Sequence, residues 1–139
     1  MHVLDTDTLS FWFKGDARVM RRLQEAGESG VVTTIVSRIE TLRGRFDQLF
    51  KAANAAEFLR AQERLTRTDE FLGRMLILPL DAAAVAEFER LVTLKGLKKI
   101  GRGDLLIASI ALAHGATLVS RNLRDFQRIP DLSVVNWVD

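Results

Sequence analysis

The segment from Asp104 to Ser120 reads DLLIASIALAHGATLVS. Its first part, Asp104–His114, is apolar on nearly every face, the pattern of a helix buried in the middle of a fold. Behind Gly115 comes ATLVS, a short apolar run of strand length. A fully buried helix that feeds a buried strand belongs to a domain in which helices cover a central sheet.

The flanks repeat that alternation. HVL before Asp5 reads as a first strand. TLSFWF then puts Leu9, Trp12 and Phe13 at i, i+3 and i+4, one face of a helix. Asp16 can cap a second helix, with Met20 and Leu23 toward the core and Gly27 and Gly30 as stop signals. VVTTIV is β-branched and reads as a second strand. A helix begins near Ser37–Gly44, and Phe46 to Leu72 reads as one or two more. MLILPL is a strand-length apolar run closed by Pro79. A helix from about Ala82 to Lys95 carries Val85, Phe88 and Val92 on one face. The basic loop KGLKKIGRG leads into the buried helix, and LSVVNW supplies a last strand. The pattern predicts a three-layer α/β/α domain around a mostly parallel sheet of four to five strands.

The 139 residues fit a single domain spanning 1–139, with no linker or repeat. There is no cysteine, so disulfide frameworks, thiolate metal sites and thiol nucleophiles are excluded, and a reducing cytoplasm is expected. No apolar run approaches the roughly 18–20 residues that span a bilayer, and no secretory leader is visible. The net charge of +2 permits a polyanionic partner without arguing for one.

Open parallel sheets bind ligands beyond the carboxyl ends of their strands. Asp5 and Asp7 lie just past the first strand, Glu40 in the first turn after the second, Asp104 at the start of the buried helix, and Asn122 and Asp125 after LVS. Each has a purely structural alternative. Ser37 and Glu40 match a capping box, Asp104 suits a helix N-terminus, and Asp5, Asp7 and Asp125 can each cap a helix. Gathered at one rim, however, acids repel unless a cation neutralises them. With no histidine or cysteine in position, the donors are all oxygen, which selects Mg²⁺ or Mn²⁺. Carboxylate clusters holding such ions carry out phosphodiester hydrolysis.

LDTDTLSFW, VTTIVSRIETLRG, IGRGDLLIASIALAHGATLVSRNLRDF and IPDLSVVNW together resemble the PIN-domain ribonucleases, and more narrowly the VapC toxins of bacterial toxin–antitoxin pairs. The resemblance covers the chain from first strand to last and is weakest over Lys51–Leu72. It implies Mg²⁺- or Mn²⁺-dependent cleavage of RNA, with Asp5, Glu40 and Asp104 as the catalytic acids. Asp5 and Asp104 would bind metal directly, and Glu40 would bind directly or through water and help place the attacking water. Asp7, Thr34, Ser120 and Asp125 would support them. At the family's frequently acidic fourth position stands Asn122, which keeps an oxygen ligand but loses a charge and leaves metal stoichiometry open.

The resemblance also implies a cognate VapB-type antitoxin, a homodimer and a higher assembly with the antitoxin. Trp12, Phe13, Phe46, Leu49 and Phe50 either complete the core or line an apolar groove for that partner. Lys98, Lys99, Arg102 and Arg121 flank the acids and can hold RNA phosphates. Gly96, Gly101 and Gly103 make no P-loop, since no Gly-Lys-Ser/Thr follows. Two other functions stay open beside an active toxin. One is a weakly active PIN-fold binding module working through complexes; the other is a housekeeping RNA-processing nuclease.

Overall fold

A computed structural model describes residues 1–27 and 30–139. Glu28 and Ser29, in the stretch read as the end of the second helix, lie outside the described residues. Five strands, β1 (His2–Leu4), β2 (Val31–Thr34), β3 (Ile77–Leu78), β4 (Thr117–Val119) and β5 (Ser133–Val135), form one sheet in the order β3-β2-β1-β4-β5. Every pairing is parallel. Around it run α1 (Thr6–Phe13), α2 (Ala17–Ala26), α3 (Ile35–Phe50), α4 (Ala55–Gly73), α5 (Ala82–Val92), α6 (Arg102–Ala113) and α7 (Leu123–Phe126).

Alternate strand residues point to opposite faces, and that alternation splits the core in two. Val3, Val32 and Leu118 pack with Leu91, Ile107, Ile110 and Phe126 on one side. Their neighbours Leu4, Val31 and Val119 pack with Leu9, Val19, Leu23 and Leu72 on the other. This is the three-layer α/β/α architecture. The interior of α6 is as apolar as its sequence demands: Ile107, Ala108, Ile110 and Ala111 are each fully enclosed. Among the described residues no helix is long and apolar enough to cross a membrane.

Several boundaries differ from the sequence reading. The MLILPL run contributes only Ile77–Leu78 to the sheet, and Leu76 and Leu80 are exposed. A two-residue edge strand presents little unpaired backbone to other chains. In α2 the core face is Val19 and Leu23, while Met20 points outward. Strand β2 stops at Thr34, and Ile35 and Val36 already belong to α3. Thr34 is the N-cap of α3, its hydroxyl accepting from the Ser37 amide at 3.1 Å. The Ser37–Glu40 capping box therefore does not form, because the helix has begun two residues before Ser37. Helix α5 ends at Val92 rather than Lys95, and its core residues are Ala84 and Leu91. Phe46 and Phe50 are exposed, so they do not complete the core.

Candidate metal centre at the strand ends

The strand order reverses at β1, between its neighbours β2 and β4, and beyond the carboxyl end of such a switch point open parallel sheets bind their ligands. Register sets what stands there. Leu4 pairs with Thr33 on one side and Val119 on the other, so the next residues, Asp5, Thr34 and Ser120, share one row. The Asp5 amide still donates to the Val119 carbonyl at 3.0 Å. Asp5 then turns the chain into α1 as its N-cap, Oδ1 accepting from the Thr8 amide at 2.9 Å.

Asp5 is buried, at 7 % exposure. Burial pushes its carboxyl above the usual range, and hydrogen bonds from Ser120 and Thr8 oppose that rise. Asp104, in the first turn of α6, is pushed up to about 6. Burial is the main cause, followed by the charges of Asp5, Glu40, Asp125 and Asp7. The acids separated in sequence thus share one electrostatic neighbourhood at one rim. The Asp104 side chain does not cap α6: its N-cap is Gly101, without a side-chain hydrogen bond.

Glu40 lies on the exposed side of α3. Its Oε1 accepts from the Thr6 hydroxyl at 2.6 Å, and its Oε2 stands 3.1 Å from where a side chain on Gly103 would begin. Thr6 escaped the sequence reading. The signal available was its position directly after Asp5, which carries it to the first residue of α1 and toward α3.

Asn122 caps the short α7. Its Oδ1 accepts from the Asp125 amide at 3.4 Å, and its Nδ2 donates to Asp125 Oδ2 at 3.1 Å. The Ser120 hydroxyl accepts from the Asn122 amide at 2.9 Å. Ser120 thus steadies the loop after β4, and the charge of Asp125 reaches Asp104. Asp7 is exposed in the first turn of α1 and acts on Asp104 only through its charge. Among the described residues Thr34 touches none of the acids by hydrogen bond; it starts the helix that carries Glu40.

Among the flanking cations, Arg121 pairs with both side-chain oxygens of Asp139 at 3.1 Å and lies over the Phe11 ring. Arg102 lies over Phe88. Lys98 and Lys99 are exposed and, among the described residues, form no salt bridge.

Among the described residues no three acids or histidines already stand as a ready ligand set. The donors are carboxylate and amide oxygens, and the unneutralised charge around Asp104 is what a hard divalent cation would relieve. In chemistry and charge the residues fit Mg²⁺ or Mn²⁺.

A family model described as PIN domain matches residues 2–132. A ribonuclease VapC2 of Rickettsia felis is 42 % identical over 79 residues, covering 55 % of this chain and 58 % of the relative. This best-aligned stretch therefore spans less than two thirds of that relative's length. A ribonuclease VapC2 of Haemophilus influenzae is 34 % identical over 94 residues, covering 66 % of this chain and 69 % of the relative. Among solved structures, VapBC2 from Rickettsia felis bound to a DNA fragment from its promoter contains a chain that superposes with a TM-score of 0.78. That chain is 27 % identical, with 98 % of each chain covered.

Proposed function

Since the chain belongs to the PIN-domain family, alongside VapC ribonucleases, we propose that it is a metal-dependent endoribonuclease toxin neutralised by a cognate VapB-type antitoxin. What supports this reading is that Asp5 and Glu40, beyond the carboxyl ends of β1 and β2, lie close enough to Asp104 for their charges to raise it.

Asp5 and Asp104 would hold Mg²⁺ or Mn²⁺ directly, joined by Glu40, and by Asn122 through the remaining lone pair of its Oδ1. Held there, such an ion would supply the chemistry of lowering the pKa of a bound water and stabilising charge on the phosphodiester oxygens. Glu40 Oε1 is committed to Thr6, so Oε2 is the oxygen left to orient the attacking water and accept its proton. Hydrogen bonds from Ser120 and Thr8 favour the ionised form of Asp5 and partly offset the rise that burial causes. Lys98 and Lys99 approach the RNA backbone as unpaired cations, while Arg102 and Arg121 reach it only by leaving their present partners.

The antitoxin reading is supported by exposed Phe46, Phe50, Phe58 and Leu59 on α3 and α4. It is supported as well by a groove of about 820 Å³ between those helices and the end of α1. Homodimerisation is carried over on the same basis. The decisive experiment maps RNA ends in cells after brief induction of the protein. Asp5→Asn and Asp104→Asn should abolish both the new ends and growth arrest. Persistence of cleavage in either variant removes the mechanism. Failure of antitoxin-free wild type to bind Mn²⁺ at millimolar concentration favours the binding-module alternative, for which Asn122 is the motivating feature.

A further inference from the structure

Glu40 is exposed on α3, and an exposed glutamate ordinarily samples several rotamers. Two features restrict it. The Thr6–Glu40 separation of 2.6 Å is that of a charge-assisted O–H···O⁻ hydrogen bond. A hydroxyl has one proton, and Thr6 Oγ1 also lies 3.1 Å from the Ser37 hydroxyl oxygen. Once Thr6 donates to the carboxylate, Ser37 must donate to Thr6. Ser37 is fully buried and its amide is anchored on Thr34, so the chain Ser37–Thr6–Glu40 runs from fixed interior to exposed acid.

The second feature is steric. A Cβ on Gly103 would stand 3.1 Å from Glu40 Oε2 and 3.6 Å from its carboxyl carbon. Among the chain's glycines this is the one where an added Cβ meets anything within 4 Å. Gly103 has no left-handed backbone to explain it, and it occupies a helical position where alanine is intrinsically better by the usual propensity. Backbone conformation does not require this glycine, and a Cβ there would oblige Glu40 Oε2 to move from its present position by a few tenths of an ångström.

We propose that Thr6 and Gly103 are positioning residues that clamp Glu40, the hydroxyl holding Oε1 while the absent side chain leaves room for Oε2 beside Asp104. The functional consequence rests on Glu40 serving an RNA-cleaving site; the clamp itself does not. Glu40 is thereby set between α1, which follows Asp5, and α6, which carries Asp104, and the three acids are held to a common geometry.

The test uses the full chain as Thr6→Val, Thr6→Ser and Gly103→Ala beside wild type. The Glu40 side-chain carboxyl carbon is followed by ¹³C NMR, assigned by its loss in Glu40→Gln. Mn²⁺ affinity is measured by calorimetry, and kcat and KM on a fluorogenic mixed-sequence oligoribonucleotide. Thr6→Val and Gly103→Ala should both shift the Glu40 resonance, weaken Mn²⁺ about 10–100-fold, as loss of an orienting partner typically does, and lower kcat with KM little changed. Thr6→Ser should restore all of these. Gly103→Ala should melt at or above the wild-type temperature, which a merely structural glycine would not do. An unmoved Glu40 resonance in Thr6→Val or Gly103→Ala overturns the clamp, and so does a folded Thr6→Ser that behaves like Thr6→Val. If wild type neither cleaves RNA nor binds Mn²⁺, the nuclease reading falls, while the resonance and its rescue by serine still decide the clamp.

Discussion

Asp104 keeps its proton to higher pH than a free carboxyl, up to about 6, and the sign of the consequence follows by linkage. Between the ordinary carboxylate value and about 6, the folded state binds more protons at this group than the unfolded state does. Unfolding free energy therefore declines as pH rises through that window, and the full penalty is present above it. In chelator, the Asp104 contribution should favour a higher melting temperature at pH 5 than at pH 7.5. Asp104→Asn should flatten that dependence and raise the pH 7.5 melting temperature while eliminating RNA cleavage, a site that trades stability for function. Adding Mn²⁺ should stabilise wild type more at pH 7.5 than at 5, because protons compete for the same oxygens. Thermal melts at both pH values, with and without metal, check all three. A melting temperature for Asp104→Asn below wild type at pH 7.5 would show that burying the ionised carboxylate among like charges is not the dominant cost at this residue.

Helix α3 shows how an element delivers a candidate site residue. Thr34 ends β2 and caps α3 through the Ser37 amide. Loss of an N-cap hydroxyl costs about 0.5–2 kcal/mol. Thr34→Ala should therefore lower stability in urea by about 1 kcal/mol and leave Mn²⁺ affinity within a few-fold, since Thr34 bonds no acid. A large loss of metal affinity at preserved stability would instead make Thr34 part of the site. The sequence pattern identified β1, β2, β4, β5 and the buried α6, because alternation and all-round apolarity are local signals. Asp5 and Asp104 drew attention because one directly follows a strand and the other lies in the first turn of a helix, whereas Glu40, expected in the first turn after β2, stands in the second turn because α3 already starts at Ile35. What escaped depended on neighbours distant in sequence. Whether β2 ends at Thr34 or at Val36 is decided by which residue caps α3, and β-branched residues continue past the boundary. Thr6 and Gly103 gain meaning only when α1, α3 and α6 converge. Arg45 is similar: buried on α3, it donates to Thr68 of α4 at 3.0 Å and lies over the Phe13 ring, contacts that no local charge pattern discloses.

For the whole molecule, the parallel sheet collects acids at one end, and on the proposed function RNA would have to be held against a cluster of like charge. Attraction to the backbone then has to come from cations outside the acid cluster. Lys98 and Lys99 precede α6 and are exposed, whereas Arg121 is bound to Asp139 and Arg102 lies over Phe88. The lysines should therefore dominate phosphate contact. For single strands the slope of log affinity against log salt is about 0.7 per phosphate neutralised. Lys98→Gln combined with Lys99→Gln should weaken RNA binding uniformly across sequences and reduce that slope by about 1.4, two contacts at 0.7 each. At saturating RNA and Mn²⁺, kcat should be unchanged, because neither lysine contacts the acids. Fluorescence anisotropy over a salt series, using Asp104→Asn to prevent cleavage, measures the binding term apart from chemistry. An unchanged salt slope would move RNA binding to another face. The arginines of α4 that line the groove beside Phe13, Arg60, Arg64 and Arg67, would then be the next cations to substitute.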